Sequence, residues 1–482
     1  MSTAVPAASP AAIRLNRKVI GITIGAALGG FLFGFDSSVI NGAVDSIQGH
    51  FGLTDAATGF TVASALLGCA VGAWFAGSLS NRWGRIRVMV IASILFFVSA
   101  IGSGLAFSVG DLILWRLVGG LAVGAASVIA PAYIAEVAPA VFRGRLGSLQ
   151  QLAIVTGIFT ALLTAQLFAT TAGGASQDLW LGLEAWRWMF MAEAIPAVIY
   201  GVIAMRLPES PRYLVGKHRD EEAAAVLKSV EEDDVEGKIA EIRASLGADD
   251  SRSYQHLRGS SFGLKPIVWT GIILAVLQQL VGINVIFYYS TTLWQSVGFS
   301  ESDAFLTSTI TSLTNIAVTI VAIMLVDRIG RRKLMLIGSV GMFVMLALMS
   351  LAFSHATLDA NENAVLAGHW ATTALIGANG FVVFFGATWG PVVWVLLGEM
   401  FPNRIRATAL SIAAAAQWLA NFAVTITFPS LSTFSLSFAY GIYAFMALVS
   451  FFFVLRRVRE TKGIELEDMP DTSTVERVSQ HI

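Results

Sequence analysis

The chain has 482 residues, of which 55% are hydrophobic and 13% charged, and its formal net charge is −1. A soluble protein carries roughly 25% charged residues, so this composition excludes an ordinary soluble domain, and the balanced net charge predicts no nucleic-acid partner. The single cysteine, Cys69, lies in an apolar segment and excludes an intrachain disulfide.

A bilayer span needs about 20 apolar residues. After a polar, Ala- and Pro-rich start (Met1–Arg17) with no cleavable leader, twelve candidates follow, at approximately 19–42, 59–79, 88–106, 112–137, 147–169, 186–206, 266–293, 305–326, 334–354, 370–397, 407–430 and 436–455. The segment after the sixth, Pro208–Ser260, is charged and reads as short amphipathic helices. The expected fold is an all-α membrane protein with twelve transmembrane helices in two six-helix bundles. Its parts are an N-terminal tail (1–18), a first bundle (19–206), a helical linker (207–260), a second bundle (261–456) and a C-terminal tail (457–482).

Lys and Arg crowd the loops 81–87, 142–145, 207–260, 327–333 and 403–406 and the tail from Arg456, whereas the alternate loops carry none. Positive charge collects on the cytoplasmic side. A multi-pass protein of the cell membrane with both termini cytoplasmic is therefore expected. The halves also repeat. Gly77–Arg87 echoes Ala322–Lys333, Glu136-x6-Arg143 echoes Glu399-x6-Arg406, and PESPR (Pro208–Arg212) echoes RETKG (Arg459–Gly463). Duplicated six-span halves imply alternating access about a site at their interface.

One apolar segment is unusually polar at its centre. Gln278–Tyr289 (QQLVGINVIFYY) holds two adjacent amides, a third at Asn284 and a Tyr pair around Gly282. An unpaired amide in hydrocarbon costs several kcal/mol. A lone amide at this depth is usually interhelical glue, but this cluster around a helix-loosening glycine reads as half of a pocket for an uncharged polyhydroxylated solute. Amides present donors and acceptors on one planar head, which suits a vicinal diol.

GFLFGFD (Gly30–Asp36), RLVGGLAVG (Arg116–Gly124), PESPR, QQLVGIN, DRIGRR, GPVVWVLLGEMFP (Gly390–Pro402) and QWLAN (Gln417–Asn421) occur here in a characteristic order. Together they resemble the sugar porter family of the major facilitator superfamily, in pattern closest to bacterial proton–xylose and proton–glucose symporters and to mammalian facilitative glucose transporters. The resemblance covers about Val19 to Glu467. It implies a monosaccharide held by Gln278, Gln279, Asn284 and Tyr288 in the seventh span, Asn315 in the eighth, Gly390 and Trp394 in the tenth, where the helix should be broken, and Gln417 and Trp418 in the eleventh. Gln151 and Phe33 would complete the site from the first half, with Tyr289 and Asn421 as second choices. Indole and phenyl faces suit the axial C–H groups of a sugar.

Asp36 is a carboxylate inside the first span, costly unless paired, and the resemblance pairs it with Arg116 and places Glu193 beside them. Because facilitative members generally lack this acid, proton symport is expected over uniport. A lattice of Arg82, Arg85, Glu136, Arg143, Glu209 and Arg212, with Asp327, Arg331, Arg332, Glu399, Arg406 and Glu460, is expected to gate the cytoplasmic end. Asn81, Ile86 and Arg459 depart from the family pattern, which predicts a weaker latch in the first half. No metal cluster or nucleophile–base pair suggests an enzyme or a cofactor, and the tail is short for a sensor. Glucose and xylose are favoured on pattern, although galactose and a cyclitol such as myo-inositol share the chemistry. The expected partners are a monosaccharide, a proton and the bilayer, with a monomer as the default.

Overall fold

In the computed structural model the described residues are 17–138, 143–230, 234–248, 257–259, 262–358, 364–366, 368–401 and 405–461. Among them, twelve helices are long and apolar enough to cross a bilayer. They are numbered here as spans 1 to 12: Arg17–Gly42, Asp55–Trp83, Arg85–Gly104, Val109–Val137, Leu146–Ala172, Ala185–Ala204, Pro266–Gln295, Glu301–Val326, Arg331–Phe353, His369–Met400, Thr408–Phe434 and Leu436–Arg457. All twelve expected spans are present. Between spans 6 and 7 the described residues of the linker include the short helices Pro211–Gly216, Asp220–Ser229 and Val235–Ala248.

The basic connections are shorter than the sequence suggests. Span 2 runs to Trp83 and span 3 starts at Arg85, so Gly84 alone makes the turn. Gly330 alone separates the helix Glu301–Ile329 from span 9. Both glycines take a positive φ (+95° and +96°), which costs glycine little. Arg85 and Arg331 are therefore not loop residues. They open helices and are buried at 7% and 9% exposure.

The halves meet through spans 2 and 11, 5 and 8, and 1 and 7. The end away from Arg85 and Arg331, called here the basic-free end because its connecting loops carry no Lys or Arg (Arg187 lies inside span 6), is closed by polar bridges between the halves. Gln295 Nε2 donates to Asp45 Oδ2 (3.1 Å), Thr433 Oγ1 to Asp55 Oδ2 (2.8 Å), and the Ala175 N–H to Glu301 Oε1 (2.8 Å). Asn41 supplies four more, described below.

Candidate functional site

Span 7 breaks where the sequence places the break. The helix Pro266–Leu280 ends, Gly282 adopts a left-handed conformation (φ +80°), and a second helix, Ile283–Gln295, begins. A Cβ at Gly282 would stand 2.7 Å from the Tyr443 ring, so space and backbone both demand glycine there. Span 10 differs from expectation. It does not break at Gly390–Pro391; instead Phe385–Trp389 forms one π-helical turn and Gly390–Met400 continues as α-helix. Pro391 has no N–H to donate one turn back, and the widened turn absorbs that defect within a continuous span.

These two irregular points are joined by the expected amides. Gln278 Nε2 donates to the carbonyls of Trp389 (2.9 Å) and Gly390 (3.2 Å), and Gln278 Oε1 accepts from Gln417 Nε2 (3.0 Å). Asn284 Nδ2 bridges the Gly282 break to Gln279 Oε1 (2.6 Å). Gln278, Gly390 and Gln417 thus form one chain across spans 7, 10 and 11, and Gln279 and Asn284 form a separate pair within span 7. Gln417 Oε1 is buried with no partner, an acceptor left over for a hydroxyl. Asn315 is buried on span 8, and its Oδ1 would lie 3.0 Å from a Cβ at Gly386, beside the π-helical turn. Trp394 is 40% exposed.

The first half contributes less directly. The Phe33 ring lies 5.6 Å from that of Trp418, across the seam between the halves. Gln151 is half-buried on span 5. Its neighbour Gln150, which sequence reasoning passed over, is buried against Gly30 with both amide atoms unpaired. Tyr289 and Asn421 both engage Thr425: Tyr289 Oη donates to its carbonyl (2.9 Å), and Asn421 Oδ1 accepts from its hydroxyl (3.1 Å).

Asp36, Arg116 and Glu193 come together as expected. Arg116 Nη1 donates to Asp36 Oδ1 (3.2 Å) and to the Asp36 carbonyl (3.1 Å). The Glu193 carboxyl lies against that of Asp36, and all three residues are 1–2% exposed. Asp36 Oδ2, Glu193 Oε1 and Arg116 Nε have no partner. The Phe190 ring lies 5.8 Å from the guanidinium carbon and walls one side. Asp36 is six residues, about 9 Å at 1.5 Å per residue, from the basic-free end of span 1. A void of about 10 Å³, at the lower limit for one water, is lined by Asp36, Arg116 and Cys69 from the first half and by Tyr288 from the second. The ion pair therefore borders an expected sugar residue.

Asn41 is the principal residue that sequence reasoning missed. Its side chain sits against the helix Ile283–Gln295. Asn41 Nδ2 donates to the Phe287 carbonyl (2.9 Å) and to Ser290 Oγ (2.8 Å). Asn41 Oδ1 accepts from the Thr291 N–H (3.0 Å) and Thr291 Oγ1 (2.5 Å). Phe287 and Thr291 are i and i+4 of that helix, so the amide attaches itself to both ends of one helical rung. A buried Asn beside the end of span 1 was the only available signal.

The charge lattice is built twice on one plan. Arg85 pairs bidentately with Glu136 (Nε–Oε2 3.0 Å, Nη2–Oε1 2.8 Å), and Arg331 does so with Glu399 (3.1 and 2.8 Å). The Glu209 carboxylate accepts the N–H groups of Arg85 and Ile86, and Glu460 accepts those of Arg331 and Arg332, so each carboxylate caps a helix start. Ser210 Oγ and Thr461 Oγ1 donate to Glu136 and Glu399. These contacts lie within each half, and the two copies have matching geometry. Arg82 is exposed, and Arg212 is half-buried. The side chains of Arg143, Asp327 and Arg406 lie outside the described residues.

Residues 22–472 match the family model "Sugar (and other) transporter". The chain belongs to that family. It is 54% identical to a protein named "Glucose transport protein" from Synechocystis sp., covering 96% of this chain and 100% of the relative. It is 37% identical to the D-xylose-proton symporter of Escherichia coli, covering 94% and 95%. Among solved structures, the inward-open xylose transporter XylE from E. coli superposes with a TM-score of 0.79 at 36% identity, covering 94% of this chain and 99% of that one. XylE bound to 6-bromo-6-deoxy-D-glucose gives a TM-score of 0.78 over 94% and 98%. The fold is therefore that of a major facilitator sugar porter, a twelve-span membrane transporter rather than an enzyme.

Proposed function

We propose that this sugar porter is a proton-coupled monosaccharide symporter of the glucose or xylose type, working by alternating access as a monomer in the cell membrane. The observation that carries the reading is the sealed cluster of two carboxyls and one guanidinium. With both carboxyls ionised it holds a net negative charge away from water, which is expensive. One proton on the carboxyl pair makes the cluster neutral and supplies the donor that Asp36 Oδ2 and Glu193 Oε1 lack. Loss of that proton strengthens the hold of Arg116 on Asp36. Because the cluster shares a void with Tyr288 of the second half, proton occupancy and the position of the helix bearing Asn284 and Tyr288 bias one another.

The sugar would lie between the amide chain of spans 7, 10 and 11 and the aromatic faces of Phe33, Trp394 and Trp418, with Gln151 reaching in from span 5. With the basic end cytoplasmic, the bridges at the basic-free end would close the outer side of the path. The halves 19–206 and 261–456 are the bodies that rock. The two Arg–Glu clamps, Arg85–Glu136 and Arg331–Glu399, hold the cytoplasmic ends of their own halves rigid, so that the surfaces they present can dock when the basic end shuts.

The test is external pH in a lightly buffered, de-energised suspension of cells expressing the protein, with glucose, xylose, galactose and myo-inositol added in turn. Transient alkalinisation with one sugar is the expected result. Labelled uptake of a sugar without any pH change would overturn proton coupling and leave a uniporter. No movement of the four would overturn the substrate class.

A further inference from the structure

We infer that the basic end of the seam between spans 9 and 12 is a binding surface for an anionic phospholipid headgroup in the adjacent leaflet. Five cations gather there: Arg332 and Lys333 at the start of span 9, and Arg456, Arg457 and Arg459 at the end of span 12. Arg332 Nη2 donates to the Leu455 carbonyl (2.8 Å), which ties the two helix ends together. Lys333, Arg456, Arg457 and Arg459 are exposed, and among the described residues no carboxylate pairs with them. The nearby acids are already committed, since Glu460 caps the start of span 9 and Glu399 holds Arg331.

The internal repeat serves as a control. Aligned on the two helix-capping carboxylates, Glu209 and Glu460, the first half has Ile86, Arg87, Met205, Arg206 and Pro208 where the second has Arg332, Lys333, Arg456, Arg457 and Arg459. Two cations therefore become five on the same scaffold. Complementing the carbonyl end of span 12 needs no more than the first half manages with Arg206. The three additional arginines carry charge beyond what the helix end uses. Below them the seam is apolar and exposed, with Ile337, Val340 and Val344 on span 9 and Phe452 and Leu455 on span 12. Neither span packs substantially on the first half, so this flank faces lipid and not the substrate path. Charge above and bare hydrocarbon below fit a phospholipid better than a soluble phosphate.

Each basic residue near an anionic surface strengthens attachment by about fivefold. The test is native mass spectrometry of the full chain released from vesicles containing phosphatidylglycerol and phosphatidylcholine, comparing wild type with Arg456→Gln/Arg457→Gln/Arg459→Gln and with the first-half control Arg87→Gln/Arg206→Gln. Wild type should retain phosphatidylglycerol selectively, the triple variant should lose about tenfold or more of that selectivity, and the control should lose little. Excess glycerophosphate should not displace the lipid. Equal retention by wild type and triple variant, equal loss in the control, or displacement by glycerophosphate would each overturn the proposal. So would phosphatidylglycerol selectivity that is absent from wild type and appears only in the variant Glu465→Gln/Glu467→Gln/Asp468→Asn, since the chain's own acidic stretch would then be the occupant.

Discussion

Replacing Asn41 with alanine should release the basic-free end. The side chain makes four hydrogen bonds to the helix Ile283–Gln295, all from a residue 1% exposed. A net intramolecular hydrogen bond is worth about 0.5–1.5 kcal/mol. On truncation the Phe287 carbonyl and the Thr291 N–H are free to pair with each other as i and i+4, which restores one bond. Ser290 Oγ keeps its contact with Ser308 Oγ (2.6 Å). The balance is about 2 kcal/mol, or roughly a thirtyfold shift toward the state open at that end. The assay is thiol labelling by a membrane-impermeant reagent of Val62→Cys, a position 4% exposed and lining the void beside Asp36. Native Cys69 lines the same void and would be uncovered with it, so the comparison is made in a Cys69→Ser background. Labelling should accelerate by about thirtyfold in the Asn41→Ala background. An unchanged rate in a normally folded protein would refute the idea that this amide holds the gate shut.

Three further outcomes follow from the geometry. Asp36→Asn and Glu193→Gln should each collapse the accumulation ratio of labelled sugar to about one while sparing exchange, because each fixes the neutral form of a carboxyl in the cluster; retained uphill accumulation in either would contradict shared proton binding. Arg85→Ala and Arg331→Ala each strand a paired glutamate, at a cost of about 3–5 kcal/mol. The two thermal shifts, followed by tryptophan fluorescence, should agree within about a quarter if the clamps are equivalent, whereas a much milder Arg85→Ala would support the weaker first-half latch expected from Asn81 and Ile86. Gly282→Ala should destabilise by at least about 2 kcal/mol, from the positive φ and the encounter with Tyr443; a neutral effect in the same thermal assay would show that the break relaxes without cost.

Much of this arrangement was legible before any coordinates, for identifiable reasons. Hydropathy marks spans because burying a charge in lipid is so costly, and Asp36 stood out on the same grounds. Gly282 was legible because amides crowd both sides of it. What failed to show was whatever depends on which helix lies opposite. Asn41 looks like any polar residue near a span end, and its role appears only once the Phe287–Thr291 rung is seen beside it. Gln150 and Gln151 are indistinguishable in sequence, yet a rotation of one residue buries the first against Gly30 and leaves the second half-buried. Pro391 announced a defect in span 10 but not its form, because a π-helical turn and a break answer the same missing N–H. The lattice of charges was legible as a set, but which arginine Glu136 takes was not; it takes Arg85 from span 3.

The single-residue turns at Gly84 and Gly330 bear on how the chain reaches its membrane in the first place. A longer loop would let span 2 settle at its own depth and wait for span 3. With one residue between them, neither pair has slack, so each must enter the bilayer as a hairpin and be positioned as a unit. The charges at the bend then act as an anchor during synthesis, since Arg85 or Arg331 resists being pulled through before its glutamate partner exists. Glu136 and Glu209, and Glu399 and Glu460, are made later than the arginines they hold. Each bend gains its clamp from Glu136 or Glu399 first and its helix-capping carboxylate, Glu209 or Glu460, only after the sixth span of its half, so the bend is finished when the half is.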